Sequence, residues 1–432
     1  MKRAKAWTAL FFLGLFLLYA LIPRTVGMGH ASRLDLTKAI VHHGSFVIDD
    51  YVKNTIDWSY AGGHYYTNKA PGVSFLAVPF YWAMTKVEAT FRQGDTDWSY
   101  RNLRWTDVFV TALSTALTAL LLFLYGRKER GAWGATVVFA LGTIAFPFAA
   151  MLWGHPTAGA FLFAAFYCLA KARMPLLAGF LLGWAVLTEY TCAFAIPLFF
   201  WHFWNDATWK KRRPEALFRI VIGALPPAML FAWYHTACFG SPLALAPRFQ
   251  NPAHNAPHSG PLLFGVLGLP SPVILWRLLV GKSRGLLLIS PVLILCAVYF
   301  CEWMKEHDSK RDAVVFAGVF LCFLFFNASY NGWHGGRSSG PRYLLPALPF
   351  LCALLVRVRW TPTAWALATI GIVNCAAIAA VGTDAEMPKA LLWQEIYPRI
   401  MSGERAVVFT AILCACASLA FVARKARARA RT

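Results

Sequence analysis

Two polar stretches in an otherwise apolar chain hold most of the side chains able to bind or transform a polar substrate. The first is DWSYAGGHYYTNKAPG at 57–72, preceded by Arg33 and Asp35. It joins an acid (Asp57), paired tyrosines (Tyr65, Tyr66), a cation (Lys69), glycines and a Pro-Gly turn. A lysine serves as a point charge for phosphate, and aromatic faces pack on apolar ring faces. Together these types fit a ligand carrying both a phosphate and a sugar. The alternative is a solvated loop pinned by interfacial aromatics, which accounts well for isolated acids such as Asp49 and Asp50. The second stretch is SYNGWHGGRSSGPRYLLP at 329–346, with His334, Arg337 and Arg342. Two arginines five apart, with Gly340 between them, can clamp a diphosphate or a phosphate monoester. Equally, Trp333 and Arg342 can anchor the chain at headgroup level.

Two further polar residues lie at the ends of apolar runs, where burial is costly. His155 stands in MLWGHPT and Glu189 in LTEYT. A lone histidine is readily a satisfied structural residue, and Glu189 can cap the next helix or pair with an arginine. No phosphate loop, GxGxxG or HExxH occurs. The ten cysteines form no CxxC and mostly sit within apolar runs (Cys168, Cys296, Cys322, Cys352, Cys375, Cys414, Cys416), as packing residues. No tight ligand cluster for a metal is visible.

The elements that must position these residues are membrane helices. Hydrophobic residues make up 58% of the 432 and charged ones only 14%, well below the ~25% of a soluble domain. Runs such as ALFFLGLFLLYALI and VFVTALSTALTALLLFLY approach the ~20 residues that cross a bilayer as a helix, the structure that satisfies its own backbone in lipid. Short alternating segments of a β-barrel are absent from the sequence. The net charge of +21 is spread over short loops between apolar runs, which orients helices and favours anionic headgroups rather than nucleic acid. The basic start at Lys2, Arg3 and Lys5 has no convincing small-x-small site after the first run, so an uncleaved first helix is expected.

Charge parity then sets the topology. With the N-terminus cytoplasmic, a helix at 7–23 delivers 24–103 to the outside. That loop should contain an amphipathic helix near 31–43 and a proline-containing apolar stretch at 71–85 lying on the surface. Counting 71–85 as a span would export Arg127, Lys128, Arg130 and every later basic cluster. Spans follow at 105–125, 132–152, 157–170, 174–188, 191–204, 216–238, 285–303, 313–329, 343–356, 361–381 and 406–423. The expected fold is thus an all-α polytopic membrane protein of about twelve transmembrane helices, with both termini cytoplasmic and juxtamembrane helices in the first outer loop.

The order of motifs resembles the GT-C superfamily of polyprenyl-phosphate-dependent glycosyltransferases. The likeness is to the bacterial group akin to protein O-mannosyltransferases and the lipid A aminoarabinose transferase. It runs from the first helix through SRLDLTKAIVHHG (32–44), GHYYTNKAPG (63–72), LWGHPTA, AGFLLGWAVLTEY (178–190) and GPRYLLPALP (340–349). The resemblance implies a catalytic module over 1–350, followed at 351–432 by further transmembrane helices and a basic cytoplasmic tail. It implies hexosyl or pentosyl transfer from a polyprenyl-phosphate sugar to a glycan, lipid or protein acceptor, at the periplasmic face of a bacterial inner membrane. Membrane lipids are the other expected partner, and nucleic acid is not. The resemblance implies no certain cofactor and leaves a divalent cation open, since some members use one. Lys69 matches the family's donor-phosphate lysine, and His155 falls where relatives often hold a second functional acid. The family's early acidic pair would fall at Gly29 and His30, neither of which is acidic. The base is therefore expected at Asp57, then Asp35, with His155 as base or orienting group. Arg342 and Arg337 would neutralise the leaving phosphate. Arg33, Tyr65, Tyr66, Glu189 and His334 complete the expected substrate site. The competing reading is a lipid-linked glycan flippase or polysaccharide transporter, which would normally show internal repeats with polar residues near midplane in both halves.

Overall fold

The computed structural model describes residues 2–23, 28–91, 104–254, 267–385 and 389–431. The remainder of the first long loop, at 24–27 and 92–103, lies outside the described residues. The chain is an all-α, multi-pass membrane protein whose described sheet is one two-stranded hairpin. Among the described residues, five helices are long and apolar enough to cross a bilayer: Arg104–Gly126, Arg213–Phe239, Ser309–Ser329, Pro362–Val381 and Ala406–Ala428. In chain order the elements used below are α1 (Lys2–Leu21), α2 (Met28–His43), β1 (Trp58–Ala61), β2 (His64–Thr67) and α3 (Gly72–Phe91). Then come α4 (Arg104–Gly126), α5 (Ala132–Gly142), α6 (Gly154–Tyr167), α7 (Pro175–Thr188), α8 (Ile196–Asn205) and α9 (Arg213–Phe239). The last are α10 (Pro272–Val280), α11 (Leu295–Met304), α12 (His307–Ser329), α13 (Pro362–Val381) and α14 (Ala406–Arg431).

Several expected spans are broken rather than continuous. The run at 132–152 stops as α5 at Gly142, because Thr143 is extended and its hydroxyl caps Ala145. His155 consequently opens α6 instead of closing the preceding helix. The run at 285–303 is interrupted at Ser290-Pro291, since proline removes a donor and restricts the residue before it. Residues 342–357 alternate 3₁₀ and α turns around Pro346 and Pro349 for the same reason. The stretch at 71–85 forms a longer helix, α3, that carries Pro79 within it and packs against α2.

Helix ends assigned to the same face by charge parity meet one another. At one end Arg357 pairs with Glu306 (2.6 Å) and Glu129 (3.4 Å). At that end too Asp312 holds His202 (2.7 Å) and Lys171 (3.6 Å), and Asp206 holds Arg173 (2.5 Å) and Arg311 (3.5 Å). One apolar core runs from Phe11 to Ala426, so the helices beyond residue 350 pack into the same body as the rest. Its closest helix crossing is α7 on α9. A Cβ at Gly179 would lie 1.9 Å from the Ile220 carbonyl oxygen, and one at Gly223 1.9 Å from that of Leu176. Small residues let membrane helices approach this closely. A second, smaller core of Leu36, Ala39, Ile48, Tyr66, Tyr234 and Cys238 ties α2 and the hairpin to α9.

Candidate active site

The hairpin brings the first two charged residues together. Its register pairs Trp58 with Thr67, so the residues flanking its open end face each other. Lys69 Nζ accordingly stands 3.1 Å from Asp57 Oδ2. The backbone here is tied to α2: Ser32 Oγ donates to the Asp57 carbonyl (2.5 Å) and lies 2.6 Å from Thr67 Oγ1. Thr55 Oγ1 accepts from the Asp57 amide.

Next to Ser32 on α2, Arg33 is buried at 1% exposure and donates Nη2 to Glu189 Oε1 at 2.7 Å. The same oxygen is 3.2 Å from His155 Nδ1. Glu189 thus pairs with an arginine, as one sequence reading anticipated, and orients the imidazole as well. With Nδ1–H directed at a carboxylate, the neutral ring carries its lone pair on Nε2. The fit is tight: a Cβ at Gly154 would stand 2.2 Å from Glu189 Oε1.

Trp153 forms the platform between these groups. The Arg342 guanidinium lies 4.0 Å from its ring centroid and that of Arg33 5.7 Å. Cations over an indole face are attracted by the ring quadrupole. Arg342 is also 5.3 Å from the ring of Tyr343, which packs edge-on against His155. Nε of both Arg33 and Arg342 is buried without a hydrogen-bond partner. Glu189 lies in the field of Arg33, Lys69 and Arg342, and Arg33 in that of Asp57, so the cluster is one electrostatic unit. It contains three cations and two carboxylates.

The departure at Gly29 has a structural counterpart. A Cβ there would meet the Trp153 ring at 2.9 Å and Asp57 Oδ2 at 3.2 Å. Asp57 therefore fills the space beside residue 29. His30 Nε2 contacts Asp107 Oδ1 at 3.1 Å, both side chains fully buried.

The other expected residues lie apart from the cluster's direct contacts. Asp35 accepts from Asn54 Nδ2 (3.1 Å), two residues past Arg33 and so on another face of α2. Burial pushes its carboxyl up to about 6, against the pull of Asn54 and Lys38. Tyr66 packs in the small core and contacts Phe239, while Tyr65 packs edge-on against Trp58 and at a tilt against Tyr60. Arg337 pairs with Asp384 at 2.7 Å in an exposed position. His334 sits in a turn held by Arg284, which donates to the carbonyls of His334, Gly336 and Ala385. Burial, then the charges of Arg284 and Arg342, lower the His334 imidazole's affinity for a proton. No group of three or more His, Cys, Asp or Glu side chains suited to a metal occurs among the described residues.

Sequence reasoning missed Trp153, Asp107, Arg284 and Tyr343. Asp107 carried a usable signal, an acid at the start of a long apolar run. Trp153 carried none beyond its place next to the Gly-His pair, since tryptophans abound at membrane interfaces.

No family model matches the chain, and no curated protein matches it in sequence. In three dimensions it is similar to the crystal structures of ArnT from Cupriavidus metallidurans. One is in the apo state (TM-score 0.54, 13% identity, covering 98% of this chain and 76% of that one). The other is bound to undecaprenyl phosphate (TM-score 0.54, 14% identity, covering 98% and 75%). Over almost its whole length, this chain has the fold of ArnT.

Proposed function

We propose that the chain transfers a sugar from a polyprenyl-phosphate donor to an acceptor hydroxyl, at the membrane face opposite its basic loops. The observation that carries this reading is the positive excess of the cluster. Arg33, Lys69 and Arg342 outnumber Asp57 and Glu189, in a fold in which ArnT holds undecaprenyl phosphate. The donor phosphate lies between Lys69 and Arg342. Asp57 takes the proton of the acceptor hydroxyl as that oxygen forms its bond to the anomeric carbon. The anomeric carbon–oxygen bond to phosphate breaks, and polyprenyl phosphate leaves with one more negative charge. Lys69, Arg342 and Arg33 meet that charge where it develops, which is how preorganised cations lower such a barrier. Glu189 holds His155 with Nε2 free to serve the acceptor as a second proton acceptor.

All of these groups fall within 1–350, which we take as the catalytic module, with 351–432 as supporting helices and a basic tail. We place both termini in the cytoplasm of a bacterium and the cluster on the periplasmic side. The transferred group is a hexose or pentose and the acceptor an envelope glycan, lipid or protein. A binding experiment on the purified chain tests the donor site. Undecaprenyl phosphate should raise its melting temperature while undecaprenol should not, and Lys69→Ala with Arg342→Ala should abolish the difference. Equal shifts from the alcohol and the phosphate contradict the reading.

A further inference from the structure

The opposite end of the bundle carries a second binding feature. A cavity of about 350 Å³ lies among α5, α13 and α14. From α14 it is lined by Ala420, Ala423, Arg424 and Arg427. These positions follow an i, i+3, i+4, i+7 spacing and so form one face of the helix. The alanines leave depth and the arginines form the rim. The facing wall is Trp133 and Val137 of α5 and Trp365 of α13. That wall is braced, because Trp365 packs on Trp360 (4.7 Å), whose Nε1 donates to the Gly131 carbonyl. Trp133 in turn packs on Phe11 and Phe123. Gly14 of α1 lies against Leu419, and Phe11, nearly one turn earlier in α1, meets the Trp133 that lines the cavity.

Charge and apolarity are thus arranged in depth. Residues 405–432 contain no acid, and Arg424 forms no ion pair among the described residues. The Arg130 and Arg357 termini lie at this level of the bundle. A pocket with aromatic and aliphatic walls and a two-arginine rim, at a membrane boundary, matches a molecule with a phosphate head and a hydrocarbon body. We propose that it binds an anionic phospholipid of the surrounding bilayer. Its phosphodiester sits on Arg424 and Arg427, and the root of an acyl chain lies over Ala420 and Ala423 between Trp133 and Trp365. The site is independent of the glycosyl-transfer reading, since it lies at the other membrane face.

The test uses the full chain released from nanodiscs of equal phosphatidylglycerol and phosphatidylcholine, with retained lipid counted by native mass spectrometry. Wild type should retain phosphatidylglycerol over phosphatidylcholine by roughly tenfold, as two arginines acting on one headgroup predict. Arg424→Gln with Arg427→Gln should bring the ratio to that of the disc. Ala423→Leu, which fills the cavity and keeps the charge, should do the same and stands in if the arginine variant does not purify. Lys425→Gln, on an exposed neighbouring face beside Phe421, should leave the ratio unchanged. Equal retention of the two lipids by wild type overturns the proposal. So does an equal effect of Lys425→Gln, or an unchanged ratio in Ala423→Leu.

Discussion

Asp57 and Gly29 act as a complementary pair: the glycine vacates the space that the carboxylate and the Trp153 ring occupy. This accounts for the missing early acid without leaving the site short of one. Asp57→Asn should therefore lower transfer by about 10²–10⁴-fold, the range for losing a general base, with the protein still monodisperse. Replacing Lys69 or Arg342 by alanine should cost about 10²–10³-fold, as for removing one stabiliser of developing charge. Retained activity in Asp57→Asn assigns the proton to another group. Asp35 makes a different prediction, one about stability. Its folded-state carboxyl stands near 6, above the ordinary 3.8. The stability it contributes is then fully present below the ordinary value and is lost as pH rises through about 6. The loss amounts to about 3 kcal/mol at most, from the size of the shift. Thermal melts of the wild type should fall between pH 4 and 7 more steeply than those of Asp35→Asn. Parallel curves would contradict a buried, poorly paired carboxylate at that position.

At the scale of elements, the five long apolar helices among the described residues each coincide with an apolar run that periodicity picks out. What it could not see were interruptions inside those runs. Thr143 and Pro291 break helices without any drop in apolarity, and the break at Thr143 turns His155 from the end of one helix to the start of the next. The convergence of Lys69 and Asp57 was legible only as composition, because a hairpin of two four-residue strands in an aromatic loop has no strong alternating signature. Glu189 was visible as a costly polar residue and Arg33 as a charge in the first outer loop, but their partnership spans 156 positions and required the fold. The crossing of α7 and α9 supplies a test at this scale. Gly223→Val drives a side chain into the Leu176 carbonyl and should destabilise by about 1–3 kcal/mol or more, the cost of overpacking. Because α7 ends at Glu189, activity should fall along with the melting temperature. A melt indistinguishable from wild type would mean that the two helices are not in such close contact.

For the molecule as a whole, two charged ends define its working geometry. One is knitted by Arg357, Glu306, Asp312 and Asp206, and the other gathers the Arg33, Lys69, Arg342, Asp57 and Glu189 cluster. The orientation proposed above, from the positive-inside rule, puts the first in the cytoplasm. Single cysteines introduced at Lys128 and at Lys53, in a background freed of native cysteines, should then be labelled from opposite sides of intact cells. An impermeant maleimide should reach only the position at 53, and labelling at 128 would invert the topology. The central claim, that the cluster carries sugar transfer from a lipid phosphate, is tested most directly by assaying the purified chain. Labelled undecaprenyl- and decaprenyl-phosphate sugars serve as donors and envelope extract as acceptor. Label should move covalently to the acceptor in wild type, and not in the combined Asp57→Asn, Lys69→Ala, Arg342→Ala variant at equal folding. Transfer persisting in that variant, or lipid-linked sugar crossing a membrane intact without transfer, would contradict it.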